Sequence, residues 1–402
     1  MKRAGHLLEG IAEPENLREA FLLASRAKSG RADVLAYREN LTRNLATLRE
    51  QILTESVPFG GYRQFQVFDP KERLITVAPF WQRVLHHAIM LVCEPYLENK
   101  LVPWTYACRK GKGRIAALDA AARHCRKYTW YLKLDIRKYF DSVPHDRLLA
   151  RLSGIFKDAA LLRLLEGIIR SYEVKPGRGL PIGNLTSQHF ANLYLDGLDR
   201  FIERFASREE QGSVRYMDDL VVFAANRESL VKMRAELRHY LPDRMGLDLK
   251  QERIGRVVNG VPFLGCTMYE RHRELNRRSR LRWVKRIGLL DRLLAESRLS
   301  EAQAQKRAMA MLAYAKTACT LRFRQGALQP HFRASAMDWT EPLTAASVGV
   351  AGTTTTTTPL LPTATTTTRT TGTTTSDSVW SAAPEGALDG ALFPEPAAVP
   401  LR

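Results

Sequence analysis

The sequence predicts an α+β protein in which a mixed core of strands and helices is followed by a basic helical arm. "TWYLKLDI" (129–136) is short and almost entirely apolar, which is typical of a strand buried on both faces. "GSVRYMDDLVVFAA" (212–225) has the pattern of a strand, a turn and a second strand. From about residue 278 the pattern is helical and rich in Lys and Arg.

The elements before the central strand follow from periodicity. Residues 14–54 place apolar and charged residues at helical spacing and predict two helices. "VPFGGYRQFQVFDPKERLITVAP" (57–79) predicts strands and turns, whereas "FWQRVLHHAIMLVCEPYL" (80–97) and "RIAALDAAARHC" (114–125) predict helices. The first of these two helices has an apolar face, as expected for packing against a core.

The segments after the central strand are predicted to form both helices and strands. "PHDRLLARLSGI" (144–155) predicts a helix with Pro144 near its start. "NLTSQHFANLYLDGLDRFIERF" (184–205) predicts one long amphipathic helix, "RESLVKMRAELRHYL" (227–241) predicts another, and "GVPFLGCTMYE" (260–270) predicts a strand pair. The resulting organisation has four parts: a helical extension over 1–54, a mixed domain over 55–270, a helical domain over 271–335 and a low-complexity tail over 336–402.

Charge is distributed unevenly along the 402 residues. Residues 336–402 contain two basic and six acidic residues, so the first 335 residues carry 59 basic and 36 acidic residues, a net charge of +23. This excess favours a polyanionic partner, most simply nucleic acid, although a solvated basic surface would have the same composition. The five cysteines have no CxxC pair, and no signal peptide or membrane span is evident. We therefore expect a cytoplasmic protein with no membrane partner.

Three acidic residues stand at the ends of predicted strands. Asp218 and Asp219 occupy the tip of a tight hairpin, and Asp135 ends the apolar strand. Strand-end carboxylates from two segments could meet at one sheet edge and bind two Mg²⁺ ions, an arrangement suited to nucleotidyl transfer. The alternative is that Asp135 caps the following helix, a role for which Asp141 and Asp146 are better placed.

Several sequence blocks occur in an order that resembles reverse transcriptases. They are "KERLITVAPFWQRVLHHAI", "YACRKGKGRIAAL", "YLKLDIRKYFDSV", "GLPIGNLTSQHFANLYL", "RYMDDLVVFA", "GLDLKQER" and "VPFLGC". The resemblance implies a right-hand polymerase fold with fingers and palm over 55–270 and a thumb over 271–335. It implies that Asp135, Asp218 and Asp219 are the catalytic, metal-binding residues, with Ile136 also at the metal site, and that two Mg²⁺ ions act on dNTPs.

The resemblance also places substrate-binding residues. Phe140 stands where the family has an aromatic gate against the ribose 2′-hydroxyl, although simple core packing would also explain it. Arg73 is expected near the incoming triphosphate, as an alternative to an ordinary surface arginine. Arg253 or Lys250 would assist pyrophosphate departure. The remaining implied contacts are Tyr216 and Met217 at the substrate and Phe263, Leu264 and Gly265 as the primer grip.

The block around residue 182 resembles one branch of the family. Ile182-Gly183 and Ser187-Gln188 replace the commoner Gln-Gly and Ser-Pro, as in the reverse transcriptases of diversity-generating retroelements. An apolar Ile cannot donate the amide hydrogen bond that helps to seat a nucleotide, so discrimination between bases should fall. The resemblance implies cDNA synthesis with errors at template adenines, a template-repeat RNA and a small basic helical accessory protein that is oligomeric. It also implies a prokaryotic or phage-encoded source.

The DNA that encodes the tail "TTTTTTPLLPTATTTTRTTGTTTSDSVW" (353–380) also favours a diversity-generating retroelement. Read one base earlier, a run of ACA codons becomes AAC, which encodes Asn. Over codons 348–381 this frame permits a sequence that resembles the C-terminal part of the lectin-like variable proteins that such retroelements diversify. The alternative is a Thr-rich linker. Both interpretations predict a disordered tail, since this composition buries little apolar area.

Two other functions remain open at this point. One is another prokaryotic reverse transcriptase, from a retron, a group II intron or a phage-defence system. The other is a non-catalytic RNA-binding protein with the same fold, against which the intact Asp135, Asp218 and Asp219 argue.

Overall fold

The computed structural model describes residues 3–68, 72–206 and 210–328. The predicted tail over 336–402 and residues 329–335 of the predicted helical domain lie outside these ranges. The described helices are α1 (Leu8–Ala12), α2 (Pro14–Ser25), α3 (Ala32–Glu39), α4 (Leu41–Leu53), α5 (Phe80–Glu98), α6 (Arg114–Lys127), α7 (Tyr139–Ser142), α8 (His145–Ser153), α9 (Ala159–Arg170), α10 (Leu185–Tyr194), α11 (Asp196–Ala206), α12 (Arg227–Tyr240), α13 (Arg277–Ala295), α14 (Glu301–Lys316) and α15 (Leu321–Leu328). The described strands are β1 (Arg63–Phe68), β2 (Glu72–Val77), β3 (Trp130–Ile136), β4 (Gln211–Tyr216), β5 (Asp219–Ala224), β6 (Leu249–Arg256), β7 (Val261–Phe263), β8 (Cys266–Met268) and β9 (Arg273–Leu275). The mixed helix and sheet composition is confirmed.

Two helix predictions need correction. Residues 14–54 form three helices rather than two, because the chain turns at Ala27, whose φ is 59°, and bends again at Asn40. The long helix over 184–205 is divided into α10 and α11 at Leu195, whose N–H bonds back to the carbonyl of Leu193. Buried apolar residues continue through this break, so periodicity alone could not reveal it.

The central sheet is antiparallel with the strand order β4-β5-β3-β6. Alternation along each strand sends its side chains to two different cores. Leu132 and Leu220 face the larger core, which includes residues of α5 and of α8 to α12. Tyr131 and Val221 face the second core, built with α6, β7 to β9 and α13. Both faces of the sheet are therefore covered, which explains why β3 is almost entirely apolar.

A second sheet joins the C-terminal helices to the rest of the molecule. It has the order β7-β8-β9, and β9 is a strand that the sequence pattern did not predict. It lies within the predicted helical domain over 271–335, so the predicted boundary at 270 passes through this sheet. The helices begin directly afterwards, where Asn276 caps α13 by accepting a hydrogen bond from the N–H of Ser279.

None of the helices in the described ranges is both long enough and apolar enough to cross a membrane. The five cysteines all lie in these ranges and are unpaired, with Cys93, Cys125 and Cys266 buried.

The most deeply buried charged group is the guanidinium of Arg215, in β4. Arg215 and Asp199 are both fully buried, and their side chains are joined by two hydrogen bonds of 2.7 and 2.5 Å. Arg215 Nη1 also donates to Asn192 Oδ1 at 2.8 Å and to the carbonyl of Met217 at 3.1 Å. Burial raises the pKa of Asp199 to about 6, and the charge of Arg215 opposes this rise, so the carboxyl is ionised at neutral pH.

We expect Arg215→Met to lower the free energy of unfolding by about 3–5 kcal/mol at pH 8, because it leaves a buried carboxylate unpaired. Without Arg215 the pKa of Asp199 rises further above its unfolded value of 3.8. A raised folded-state pKa means that stability falls as pH rises, so the loss should be smaller near pH 5. Urea unfolding at both pH values measures this.

The matched control is Arg200→Met on the same helix as Asp199. Arg200 is about half exposed and pairs with Glu203, which is 36% exposed, and with Asp196, which is 18% exposed, so its loss should cost much less than the loss of the fully buried Arg215 at either pH. Equal destabilisation by the two substitutions would contradict the assigned importance of the buried pair.

Candidate active site

The predicted hairpin is present, but its turn consists of Met217 and Asp218 rather than Asp218 and Asp219, because Asp219 pairs with Tyr216 as the first residue of β5. β4 ends at Tyr216 and β5 begins at Asp219, with Met217 in the left-handed region at φ 55°. The hydrogen bond from Arg215 to the carbonyl of Met217 holds this turn. The local sequence therefore supplies a tight turn, and the buried guanidinium determines its conformation.

The three acidic residues lie at one end of the central sheet. The last paired residues of β3 and β5 are Leu134 and Leu220, so Asp135 and Asp219 follow one step further on neighbouring strands. Their side chains are 36% and 31% exposed, which leaves them accessible to ions from solvent. Asp218, at the turn, is half-buried beside them.

Two lysines contact these carboxylates. Lys250 Nζ lies 2.7 Å from Asp135 Oδ2, and Lys133 Nζ contacts Asp219 Oδ1. Burial lowers the pKa of Lys133 to about 7, against the opposing charges of Asp135 and Asp218. The acidic side chains thus attract positive charge even where that charge is costly to bury.

Charged residues from both the central sheet and β2 affect the pKa of Asp218. Burial raises its pKa, and the neighbouring charge of Asp135 acts in the same direction. Arg73 and Lys133 lower it. Arg73 comes from β2, so an exposed arginine of the N-terminal hairpin reaches the electrostatic field of the carboxylates.

The carboxylates are suitable ligands for a divalent cation. Mg²⁺ prefers a few carboxylate oxygens and completes its octahedron with water and phosphate. Among the residues in the described ranges, no group of three or more His, Cys, Asp or Glu side chains is already arranged to hold a metal ion. Lys133 contacts Asp219 and Lys250 contacts Asp135, so two of the three acidic residues already have a basic neighbour. The donor chemistry fits Mg²⁺, provided that the ions displace these lysines.

Ile136 cannot bind a metal through its side chain. That side chain is buried in the larger core, on the other face of the sheet from the acidic residues. Only its main-chain carbonyl is available to an ion.

The segment around Ile182 packs against β2. The N–H of Thr76 donates to the carbonyl of Ile182 at 2.9 Å. Gly183 has a φ of 124°, and a Cβ there would lie 3.0 Å from the carbonyl oxygen of Thr76, so the close approach requires glycine. Ser187 is buried at the start of α10, and the half-buried Gln188 accepts a contact from the Cys108 thiol at 3.5 Å.

Phe140 lies beside this segment. It is half-buried in α7, its ring meets that of Tyr139 edge-on at 5.7 Å, and its carbonyl accepts the N–H of Leu180 at 2.8 Å. Arg253 is exposed on β6, opposite Lys133. Of the two basic residues considered for pyrophosphate departure, Lys250 contacts an acidic residue of the site.

The turn between β7 and β8 lies against the carboxylates. Leu264 directs its N–H at Asp219 Oδ2 over 3.5 Å, and the ring of Phe263 lies 5.0 Å from Lys133 Nζ. Tyr216 is half-buried next to the second core, to which this hairpin belongs. Of the three residues from 263 to 265, Leu264 therefore contacts Asp219 directly and Phe263 contacts its neighbour Lys133, whereas Gly265 lies against the C-terminal helices.

Sequence reasoning missed two residues of this site, Lys133 and Arg215. Lys133 stands in an otherwise apolar strand, two residues before Asp135, a spacing that places both on one face. Arg215 directly precedes the hairpin in a strand that is buried over most of its length. In each case the signal was a basic residue within a buried strand, next to a candidate acidic residue.

Comparison with known proteins gives a consistent picture. Residues 69–268 match the family described as reverse transcriptase (RNA-dependent DNA polymerase). An uncharacterized 91 kDa protein in the cob intron of Schizosaccharomyces pombe is 29% identical over 154 residues, which cover 37% of this chain and 18% of that protein. Protein YkfC of Escherichia coli is 23% identical over 329 residues, 69% of this chain and 85% of that protein.

The group II intron-encoded protein LtrA of Lactococcus lactis is 24% identical over 138 residues, 33% of this chain and 23% of that protein. The matched part covers less than a fifth of the S. pombe protein and less than a quarter of LtrA. The residues that match the family, 69–268, contain the acidic hairpin and the strand β3. Residues 69–268, about half of the chain, are therefore a reverse transcriptase domain.

Proposed function

We propose that this protein is an RNA-directed DNA polymerase that extends a primer by two-metal nucleotidyl transfer. The observation that carries the proposal is the grouping of Asp135, Asp218 and Asp219 at one end of the antiparallel sheet. Leu264, in the turn that would hold the primer, contacts Asp219, and the charge of Arg73 reaches Asp218 from β2, the strand that bonds to the segment that would hold the nucleotide. Residues 55–270 would be the fingers and palm, and residues 271–335 the thumb.

Each residue has a role that follows from its position. Mg²⁺ ions bound by the three carboxylates, with the carbonyl of Ile136, would activate the primer 3′-oxygen and neutralise the leaving pyrophosphate. Arg73 would attract the triphosphate, and Lys250 would stabilise the departing pyrophosphate, a role for which exposed Arg253 is the alternative. Tyr216 and Met217 would contact the substrate, and Phe263, Leu264 and Gly265 would position the primer end.

The finer proposal is that this enzyme serves a diversity-generating retroelement. Its support is the nucleotide-side segment: the carbonyl of Ile182 is already bonded to Thr76, and its side chain has no amide to offer a nucleotide. Gly183, Ser187 and Gln188 complete the pattern. The template would be a template-repeat RNA copied with errors at adenines, aided by a small basic helical accessory protein that is oligomeric. The setting would be the cytoplasm of a prokaryote, with the gene in the host or a phage.

A second candidate is a reverse transcriptase of the group II intron type. The similarity to LtrA, whose name records that it is encoded by a group II intron, favours this alternative. Catalysis is expected under both proposals, so only the template and the target DNA distinguish them.

Asp218→Asn and Asp135→Asn should each abolish primer extension, because each removes a metal-binding charge while keeping the shape of the side chain. Loss of metal-assisted transfer is worth several kcal/mol, so the rate should fall by at least about 10³-fold. Extension of an RNA-templated DNA primer measures this. Asp146→Asn is the control, since Asp146 pairs with Arg170 on the surface. Near-normal rates in the first two variants would remove both residues from the site.

Phe140→Ala and Phe140→Val should raise ribonucleotide incorporation relative to deoxyribonucleotide incorporation. Either change opens space beside the segment that would hold the sugar. Competition between the two nucleotide types in a gel-based extension assay gives the ratio. Phe140→Tyr keeps the ring and should leave the ratio unchanged. An unaltered ratio in the two smaller variants, with activity retained, would mean that Phe140 is only a packing residue.

Recoding codons 348–381 synonymously should change what is written into the target gene, although the protein stays the same. The new codons keep each Thr but remove the shifted AAC frame. Mutations at the target locus should then follow the altered template and cluster at its remaining adenines. Synonymous recoding of codons 301–328 is the control. A protein truncated after residue 338 should still copy a supplied template. An unchanged target pattern after the first recoding would favour the linker interpretation.

A further inference from the structure

We infer that Arg114 is a positioning residue for nucleotidyl transfer, which orients Asp219 by holding the turn at Leu264 and Gly265. The inference rests on the proposed polymerase function, in which Asp219 is a metal ligand. Arg114 is the first residue of α6 and is distant in sequence from both Leu264 and Asp219.

The guanidinium of Arg114 joins three elements. Its Nη2 and Nε donate to the carbonyl of Leu264 at 3.0 and 3.3 Å, and its Nη1 donates to Thr317 Oγ1 at 3.1 Å. The guanidinium carbon lies 4.5 Å from the centre of the Tyr314 ring. Because the planar fork makes these contacts at fixed angles, it holds the turn against the end of α14.

The turn has a conformation that needs such support. Leu264 and Gly265 both have positive φ, 46° and 79°. The left-handed region costs a non-glycine residue about 1 kcal/mol or more. The helices also press on the turn, since a Cβ at Gly265 would lie 2.8 Å from the hydroxyl of Tyr314 and 2.9 Å from that of Ser279. The turn is therefore held between Arg114 and the C-terminal helices.

The turn contacts one oxygen of the Asp219 carboxylate, and the other oxygen contacts a lysine that lies beside the turn. The N–H of Leu264 points at Oδ2 over 3.5 Å. Lys133 contacts Oδ1, and its ammonium lies 5.0 Å from the ring of Phe263, the residue before the turn. A displaced turn would move the N–H of Leu264 away from Oδ2 and change the packing of Phe263 on Lys133, so the contacts of Arg114 reach the metal-binding side chain through Leu264.

A matched control exists in Arg273 of β9. Its Nη1 donates to Asp119 Oδ1 on α6 at 2.6 Å, and its Nε donates to the carbonyl of Thr317. Arg273 thus joins α6 to the end of α14, as Arg114 does, through atoms outside the turn. Replacing it tests the attachment of the helices separately from the position of the turn.

The experiment compares Arg114→Met, Arg114→Lys and Arg273→Met in the full-length protein. Single-turnover extension should slow at least about tenfold in Arg114→Met, the effect of losing one charged hydrogen bond, and by a smaller factor in Arg114→Lys. Primer–template affinity and melting temperature should match those of Arg273→Met. A readout independent of activity is Mn²⁺ binding, followed by electron paramagnetic resonance with a dideoxy-terminated primer–template. Affinity should fall in Arg114→Met and persist in Arg273→Met.

Equal slowing in Arg114→Met and Arg273→Met, or unchanged rates in both Arg114 variants, would overturn the inference while leaving the polymerase function intact. Slower extension with unchanged Mn²⁺ binding would also overturn it, since the effect would not pass through Asp219. If Arg114→Met fails to fold, Arg114→Lys decides by the same criteria. A wild-type protein that extends no primer would overturn the proposed function and this inference together.

Discussion

A fully buried guanidinium, that of Arg215, lies where β4, α10 and α11 meet. Its hydrogen bonds to Asp199 and Asn192 compensate for the cost of burying the charge, and its remaining bond holds the carbonyl of Met217. A buried ion pair adds little net stability compared with apolar packing, but breaking it is costly. The conformation of the acidic turn therefore depends on a buried ion pair, and removing one member of that pair would be strongly destabilising.

The central sheet shows why the acidic residues are close together and also accessible. Both of its faces are covered, so apolar residues dominate along β3 and β5. At one end the cover changes to the β7–β8 hairpin, which leaves room for Lys133 and for two carboxylates that are about one-third exposed. Antiparallel pairing brings Asp135 and Asp219 to neighbouring positions without any further device. The acidic residues thus lie at the end of the sheet, where its two faces are no longer fully covered.

Much of the fold could be predicted from periodicity, and the errors have a common cause. The existence of the hairpin and the buried strand β3 were predicted correctly, because each is determined by neighbours in sequence, although the turn lies at 217–218 and not at 218–219. The division of α10 from α11 at Leu195 was missed, since apolar residues continue across it. The three-residue strand β9 was also missed, because so short a strand forms only by pairing with β8. Whether such elements form depends on the tertiary contacts they make, which local sequence patterns do not show.

The site divides in the same way. The sequence alone determined which acidic residues end their strands, since alternation and turn propensity act over a few residues. It also indicated the apolar character of residue 182. Only the tertiary structure decided that Arg215 supports the acidic turn, that Lys133 contacts Asp219, and that Arg114 reaches Leu264. Those contacts join residues up to 150 positions apart, and their geometry is set by the packing of whole helices and sheets, which no local pattern records.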